Sequence, residues 1–362
     1  MGHDDRCLWT EGTGAMSERV CKLATEKHDF ELWDTYVDNH SEGSFFHLSG
    51  WRDVICEVYK HTPYYLILES NKTICGVLPL FEQKSRLFGH VLISTPFCVY
   101  GGAIADDDGG LLQLENAAAE LGKKLNVDYV EFRYTKPRSN NSNLILNCNH
   151  STYLMPIPDD EQAILQSIKK KQRANVRQSL KNELTAKETS DISEVHRIYS
   201  ESVRNLGTPV FPKRYFSKLK EVFSDRVELL SIKNGEQPVS AVLSFYYKNK
   251  VLPYYGGGTP EARYCRGNDF MYYSLMCRAR EKRDCEVFDF GRSKNNSGSG
   301  SYKKTWGIEP QPLYYYCQLV RATNLPNLSP DNPKYRYFIK MWKKLPLFVT
   351  ERLGPYLSRF LG

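Results

Sequence analysis

The feature that most constrains this chain is that it is written twice. Two long segments carry the same order of signals. In the first, a β-rich run at 64–68 is followed by a turn at Asn71-Lys72 and a second run at 74–81. A third run at 91–94 leads through Pro96 to Tyr100-Gly101-Gly102, and then come a helical stretch at 111–125 and the strand Tyr129-Val130-Glu131-Phe132-Arg133. In the second, runs at 227–232, 239–247 and 251–255 surround Asn234-Gly235, a strong hairpin signal. The last of these runs ends in Tyr255-Gly256-Gly257-Gly258, followed by a helical stretch at 270–282 and the strand Val287-Phe288-Asp289-Phe290 with Gly291-Arg292 behind it. Glu131 and Asp289 hold matching places. The pattern predicts duplication of one α/β unit.

The fold class expected is α/β (α+β), with two tandem domains, each a mixed sheet flanked by helices. The boundaries read as a disordered lead over 1–20, domains over 21–155 and 156–325, and a helical segment over 326–362. Helices precede each sheet, at 51–59 in the first and at 160–183, 192–205 and 212–223 in the second. In the last segment Tyr335, Phe338, Ile339 and Trp342 fall at i, i+3, i+4 and i+7, one face of a helix, which predicts packing on a domain. The alternative is peripheral contact with a membrane surface, because Lys340, Lys343, Lys344 and Arg352 make the segment basic.

Composition narrows the class. The 362 residues suffice for two ordinary cores, and 13% aromatic residues argue against disorder. A net charge of +7 permits an anionic partner. The ten cysteines form no CxxC or Cys/His cluster, so no metal site is expected. Most sit in apolar runs and read as buried free thiols of a reducing compartment. No run approaches the roughly 18 apolar residues of a membrane span, and residues 1–17 lack the apolar stretch of a secretory signal. The expected location is the cytoplasm, extending to the inner face of the membrane.

Two segments carry candidate chemistry. Residues 169–181 hold Lys169, Lys170, Lys171, Arg173, Arg177 and Lys181 and no acid. Lys169, Arg173, Arg177 and Lys181 are spaced by four, so on a helix like charges stack on one face at about 0.2–0.5 kcal/mol per pair. A bound phosphate would relieve that repulsion; a solvated surface face is the plainer alternative. Ile164, Ile168, Val176 and Leu180 would form the buried side.

The second segment begins at the end of the last strand, where α/β proteins tend to place functional residues. Asp289 and Arg292 flank Gly291, a Ser/Lys/Asn/Gly stretch follows at 293–301, and Tyr302-Lys303-Lys304-Thr305-Trp306-Gly307 closes the run. Lys303, Lys304 and Arg292 are candidates to hold an anion or stabilise an oxyanion. Asp289 is either a proton acceptor or a partner for Arg292, and Trp306 reads as core as readily as site. The first repeat has no counterpart of the 302–307 run, so the distinctive chemistry is placed on Lys303 and its neighbours.

The strings Asp-Phe-Gly-Arg-Ser-Lys at 289–294 and Ser-Tyr-Lys-Lys-Thr-Trp-Gly-Ile-Glu-Pro-Gln-Pro-Leu at 301–313 resemble the FemAB-related proteins of exosortase (PEP-CTERM) systems in exopolysaccharide-making bacteria. The Lys-x-Arg-x-Asn-Val-Arg stretch at 171–177 is similar to a motif of the wider FemAB family, and the likeness spans roughly residues 25–350. The resemblance implies two tandem GNAT-fold domains and N-acyl or aminoacyl transfer to an amine of a cell-envelope or exopolysaccharide precursor. It makes Lys303 the family's electrostatic lysine, with Tyr302 and Trp306 in place of its flanking aromatics. It makes Arg173 or Arg177 a phosphate ligand, in the company of Lys169.

The chain departs from the family in having no long heptad arm. Nor does it carry the Arg/Gln-x-x-Gly-x-Gly/Ala loop of acetyl-CoA enzymes: at 263–268, Arg266 stands where the first Gly belongs. The donor is therefore left open between aminoacyl-tRNA and acyl-CoA. No tightly bound cofactor and no DNA partner are expected. Two other readings stay open: a decayed GNAT-fold module binding a nucleotide-sugar or RNA, and an acyl-CoA-dependent N-acetyltransferase acting on a small molecule.

Overall fold

The computed structural model describes residues 7–11, 19–86, 88–138, 143–325 and 333–360. In chain order it begins with β1 (Cys7–Glu11), β2 (Arg19–Leu23), α1 (Lys27–Asn39), α2 (Gly50–Tyr59), β3 (Thr62–Ser70), β4 (Thr73–Ser85), β5 (Gly89–Ser94) and β6 (Ile104–Ala105). Next come α3 (Asp108–Leu125), β7 (Tyr129–Tyr134), β8 (Ile145–Asn147), β9 (His150–Thr152), β10 (Leu154–Pro156), α4 (Glu161–Ser167), α5 (Lys170–Ser179) and β11 (Leu184–Glu188). The chain continues through α6 (Ile192–Leu206), α7 (Lys213–Phe223), β12 (Val227–Asn234), β13 (Gln237–Tyr247), β14 (Lys250–Gly258), α8 (Pro260–Tyr264), α9 (Gly267–Arg283) and β15 (Val287–Asp289). It ends with β16 (Ser293–Lys294), α10 (Gly298–Thr305), β17 (Gln311–Pro312), β18 (Tyr314–Leu319), α11 (Pro333–Trp342) and α12 (Leu347–Ser358).

The duplication is present in the sheets. One carries β3-β4-β5-β7 as neighbours and the other β12-β13-β14-β15, and in both the first two pairings are antiparallel and the third parallel. The first hairpin forms where its turn residues predict, and the second turns on Gly235-Glu236, one residue beyond the predicted Asn234-Gly235. Asn71 and Lys72 both take positive φ, +50° and +65°, as a two-residue turn of type I′ requires. Gly235, at φ +57°, fills the first turn position between Asn234 and Gln237. The helix of each repeat then covers its own sheet: α3 buries Leu114, Ala117, Ala118 and Leu121 at helical spacing, and α9 buries Met271, Leu275, Met276 and Ala279.

By contacts the described residues fall into two compact units, one up to Cys148 together with 313–325, the other 149–312 together with 333–360. The sequence placed 313–325 with the second domain. Instead β18 pairs antiparallel with β7, from Tyr314 opposite Tyr134 to Leu319 opposite Tyr129, and so completes the first unit's sheet. In the second unit the matching edge of β15 is paired by β10. Part of the expected disordered lead, Cys7–Glu11, forms β1 on the edge of β2.

The helix expected over 160–183 breaks at Ile168 and Lys169, which are extended, giving α4 and α5. Tertiary structure imposes the break: Ile168 is fully buried, and Lys169 N donates to Trp306 O at 3.3 Å. Leu180, expected inside, is 44% exposed, because α5 ends at Ser179. In the last segment Trp342 is buried and Phe338 stacks on it at 5.3 Å, whereas the Tyr335 side chain lies outside the described residues. Cys21, Cys75, Cys98, Cys265, Cys277, Cys285 and Cys317 are buried and unbridged. Among the described residues no helix is long and apolar enough to cross a membrane.

Candidate functional site

The second unit's sheet parts where its parallel pair ends. β14 and β15 meet only at Lys250 opposite Val287 and Val251 opposite Phe288; β14 then runs on beside β13 to Gly258, while β15 stops at Asp289. At that end the chain turns through Gly291, whose φ of +69° suits a residue without Cβ. Asp289 Oδ1 fixes the turn, accepting from Gly291 N at 2.8 Å and from Thr152 Oγ1 at 3.2 Å.

Lys303 comes to this turn from α10. Ser297 caps the helix by accepting from Gly300 N, and Gly300 lies so close to Tyr153 that an added Cβ would stand 2.7 Å from its hydroxyl. Lys303 Nζ donates to Gly291 O at 2.8 Å and to Arg292 O at 3.0 Å, and lies 5.3 Å from the Tyr153 ring centroid. Burial draws its pKa down to about 8; Arg292 acts in the same direction and Asp289 opposes it. An ammonium has three N–H groups. Two are spent on carbonyls, which leaves one to point at a ligand.

α10 is fixed from behind by Asp269, which the sequence reading did not single out. Asp269 lies buried in the first turn of α9, and its Oδ1 accepts from Tyr302 Oη at 2.8 Å and from Gln172 Nε2 at 2.6 Å. Thr305 Oγ1 donates to Gln172 Oε1 at 3.2 Å. Burial, reinforced by Asp269, pushes the Tyr302 pKa well above its ordinary value, so the phenol remains a donor. One acid thus joins α5, α9 and α10. In the sequence it looks like an ordinary acid in a helix's first turn, and only the donors reaching it from elsewhere reveal its role.

The expected residues therefore divide. Lys303, Asp289, the Arg292 backbone and Tyr302 come together. Trp306 is completely buried against Phe290 and Tyr272 at 5.6 and 5.9 Å, so it supports α10 from within the core and offers no surface to a substrate. Lys304 is exposed on the same helix. Lys169 caps α5 beside the end of α10. Arg173 is half-buried, with Nε donating to Ile168 O at 3.0 Å, and Arg177 is exposed. Arg173 and Arg177, with Lys170, Ala174, Gln178 and Lys181, line an open cavity of about 470 Å³. Lys169 is not part of that lining.

Near Arg266, the stretch compared with a diphosphate loop forms α8 and the start of α9. Arg266 itself is left-handed at φ +59°, and the buried carboxylate of Asp269 already occupies the helix's first turn. A diphosphate there would meet a like charge.

Comparison with known proteins agrees with the architecture. Residues 166–304 match the family model described as an acetyltransferase (GNAT) domain. No curated protein matches. The solved structure of FemX superposes with a TM-score of 0.62 at 16% identity, covering 83% of this chain and 98% of that one. The C-terminal domain (DUF2156) of a protein named as a lysylphosphatidylglycerol synthetase, from Agrobacterium fabrum, superposes at 0.56 with 11% identity, over 81% and 92%. A tandem GNAT protein from the clavulanic acid biosynthesis pathway superposes at 0.51 with 9% identity, over 83% and 98%. Residues 166–304 are thus similar to an acetyltransferase (GNAT) domain, and the fold of the whole is that of a tandem GNAT protein.

Proposed function

We propose that this protein transfers an aminoacyl or acyl group to an amine of a cell-envelope or exopolysaccharide precursor, with the reaction centred on Lys303. The observation that carries the reading is the Lys303 ammonium, held on the Gly291 and Arg292 carbonyls in the turn after β15, with one N–H unspent. A donor carbonyl placed there would direct its developing oxyanion at that N–H. For an ester donor, the amine nitrogen forms the amide bond and the ester C–O bond breaks. The proton lost by nitrogen ends on the departing hydroxyl. Asp289 is the candidate base; its Oδ1 receives two donors, so it also holds the Gly291 turn, and its charge favours the charged lysine.

The α5 groove suits the phosphates of the donor or acceptor, through Arg173, Arg177 and Lys181. Asp269 in the first turn of α9 favours an aminoacyl-tRNA donor over acyl-CoA, since the usual anion position at a helix start is taken by an acid. Fold likeness to FemX, and to a protein named for lysyl transfer to a phospholipid, fits the aminoacyl choice. An acceptor made by an exosortase-associated polysaccharide system is part of the same proposal, as is a site of action in the cytoplasm at the membrane's inner face.

The test is mass spectrometry of amine acceptors, amino-sugar nucleotides among them, incubated with charged tRNA or with acyl-CoA in parallel. Transfer from charged tRNA supports the reading, and transfer from acyl-CoA alone makes the protein an N-acetyltransferase. The α5 groove also supports a second reading, a GNAT-fold module that binds a nucleotide-sugar or RNA without turnover. Phosphate-dependent binding with no product from either donor would establish that one instead.

A further inference from the structure

The two C-terminal helices are seated by one face and bare on the other. The inner face of α11 and α12 is committed: Trp342, Thr350 and Ser358 are buried. A Cβ added to Gly354 would stand 2.6 Å from a Val210 methyl, and one added to Gly207 would stand 2.5 Å from Ile339. The outer face carries Tyr337 at 69%, Phe348 at 71% and Tyr356 at 75% exposure, with Met341 and Leu353 also exposed. Five of the eleven large apolar side chains exposed among the described residues thus crowd into positions 337–356. Scattered exposed apolar residues are normal, but a cluster of aromatics is not.

Charge says what covers them. Lys340, Lys343, Lys344 and Arg352 are exposed in the same segment, and Glu351 is the one acid in residues 333–360. On α11, Tyr337, Lys340 and Met341 recur at i, i+3 and i+4; on α12, Phe348, Arg352 and Tyr356 recur at i, i+4 and i+8. Aromatic rings and cations therefore share one face. Aromatics with an apolar body and a polar tip, beside long cationic side chains, suit the boundary between headgroups and acyl chains. A second copy of the same basic face would meet it with like charge.

We propose that the outer face of α11 and α12 docks the protein on an anionic lipid surface, with Phe348, Tyr337 and Tyr356 entering the headgroup boundary and Lys340, Lys344 and Arg352 meeting lipid phosphates. This interfacial contact, without a span, is independent of the transferase reading. It places the second unit against a membrane whatever that unit acts on.

The test is co-sedimentation of the full chain with vesicles of phosphatidylcholine alone and of equimolar phosphatidylcholine and phosphatidylglycerol. Binding is expected to the anionic vesicles only, and raising salt to shorten a Debye length of about 10 Å should release the protein. Phe348→Ser with Tyr356→Ser, and separately Lys340→Gln with Lys344→Gln and Arg352→Gln, should each lower the bound fraction about tenfold. These side chains are exposed, so the variants should melt at the wild-type temperature. Failure to sediment with anionic vesicles, equal binding to neutral ones, or variants that bind like wild type would overturn the proposal. So would self-association by this face, seen as a concentration-dependent dimer lost in the Phe348→Ser, Tyr356→Ser variant with no vesicle binding.

Discussion

The two repeats carry an acid at the matching place of their parallel strands, Glu131 in β7 and Asp289 in β15, and use it differently. In the first, Glu131 pairs with Arg133, whose Nε lies 2.9 Å from Oε1. The Arg133 guanidinium also donates to Cys98 O at 2.6 Å and Thr95 O at 3.4 Å, and only 2% of the residue is exposed. Phe97, Cys98, Val99 and Tyr100 are buried around it. The place where β5 and β7 part is therefore filled by the chain itself. In the second repeat the matching Asp289 faces a lysine from a separate helix, and that lysine keeps a free N–H. In the function proposed above, the first copy serves as closed scaffold and the second carries the chemistry.

Four variants or conditions would break or sharpen this contrast. Arg133→Met should destabilise the protein by about 3–5 kcal/mol by leaving Glu131 unpaired, read as a lower urea midpoint, with turnover per folded molecule unchanged. If turnover falls instead, the first repeat is not merely scaffold. Lys303→Ala should do the reverse, lowering kcat about 100- to 1000-fold with little loss of stability or donor affinity; intact turnover would remove the lysine from the reaction. Tyr302→Phe should weaken the α10 anchor by about 1.5–3 kcal/mol, because a hydrogen bond to a carboxylate is lost. It should reduce kcat more than donor binding, measured by titration of the labelled donor.

The last test is of pH. The folded pKa of Lys303, about 8, lies below the ordinary lysine value of 10.5. Between these values the unfolded chain binds the extra proton, so this group makes stability rise with pH by at most about 1.4 kcal/mol per unit. Below about pH 8 its full destabilising contribution is present. Lys303→Met should flatten that slope in melts taken from pH 7 to 10. Turnover that needs the ammonium should decline above pH 8 once the acceptor amine is neutral.

Much of the scaffold was legible in the sequence because it rests on local signals. The turns at Asn71-Lys72 and beside Asn234-Gly235, the alternation of the strands and the helical spacing of α3 and α9 each need only neighbouring residues. What was hidden depends on distant partners. The break at Ile168 and Lys169 needs the Trp306 carbonyl, and β18 needs β7. In the site, Lys303 and Asp289 could be named from their place after the last strand. Asp269 and Gln172 could not, because their donors and acceptors converge from three helices. Trp306 was ambiguous by composition alone, and its burial assigns it to the core.

The return of β18 has a consequence for how the protein is made. Its partner β7 leaves the ribosome about 180 residues earlier. At translation rates of about 5–20 residues per second, the edge of β7 waits roughly nine to thirty-six seconds for its strand. During that interval the first unit presents an unpaired sheet edge, a template for association with other chains. The nascent chain must make residues 149–312 of the second unit before β18 can close the first. A gene fragment ending near residue 155 should therefore yield insoluble protein, whereas the same fragment supplied with a peptide of residues 313–325 should be rescued.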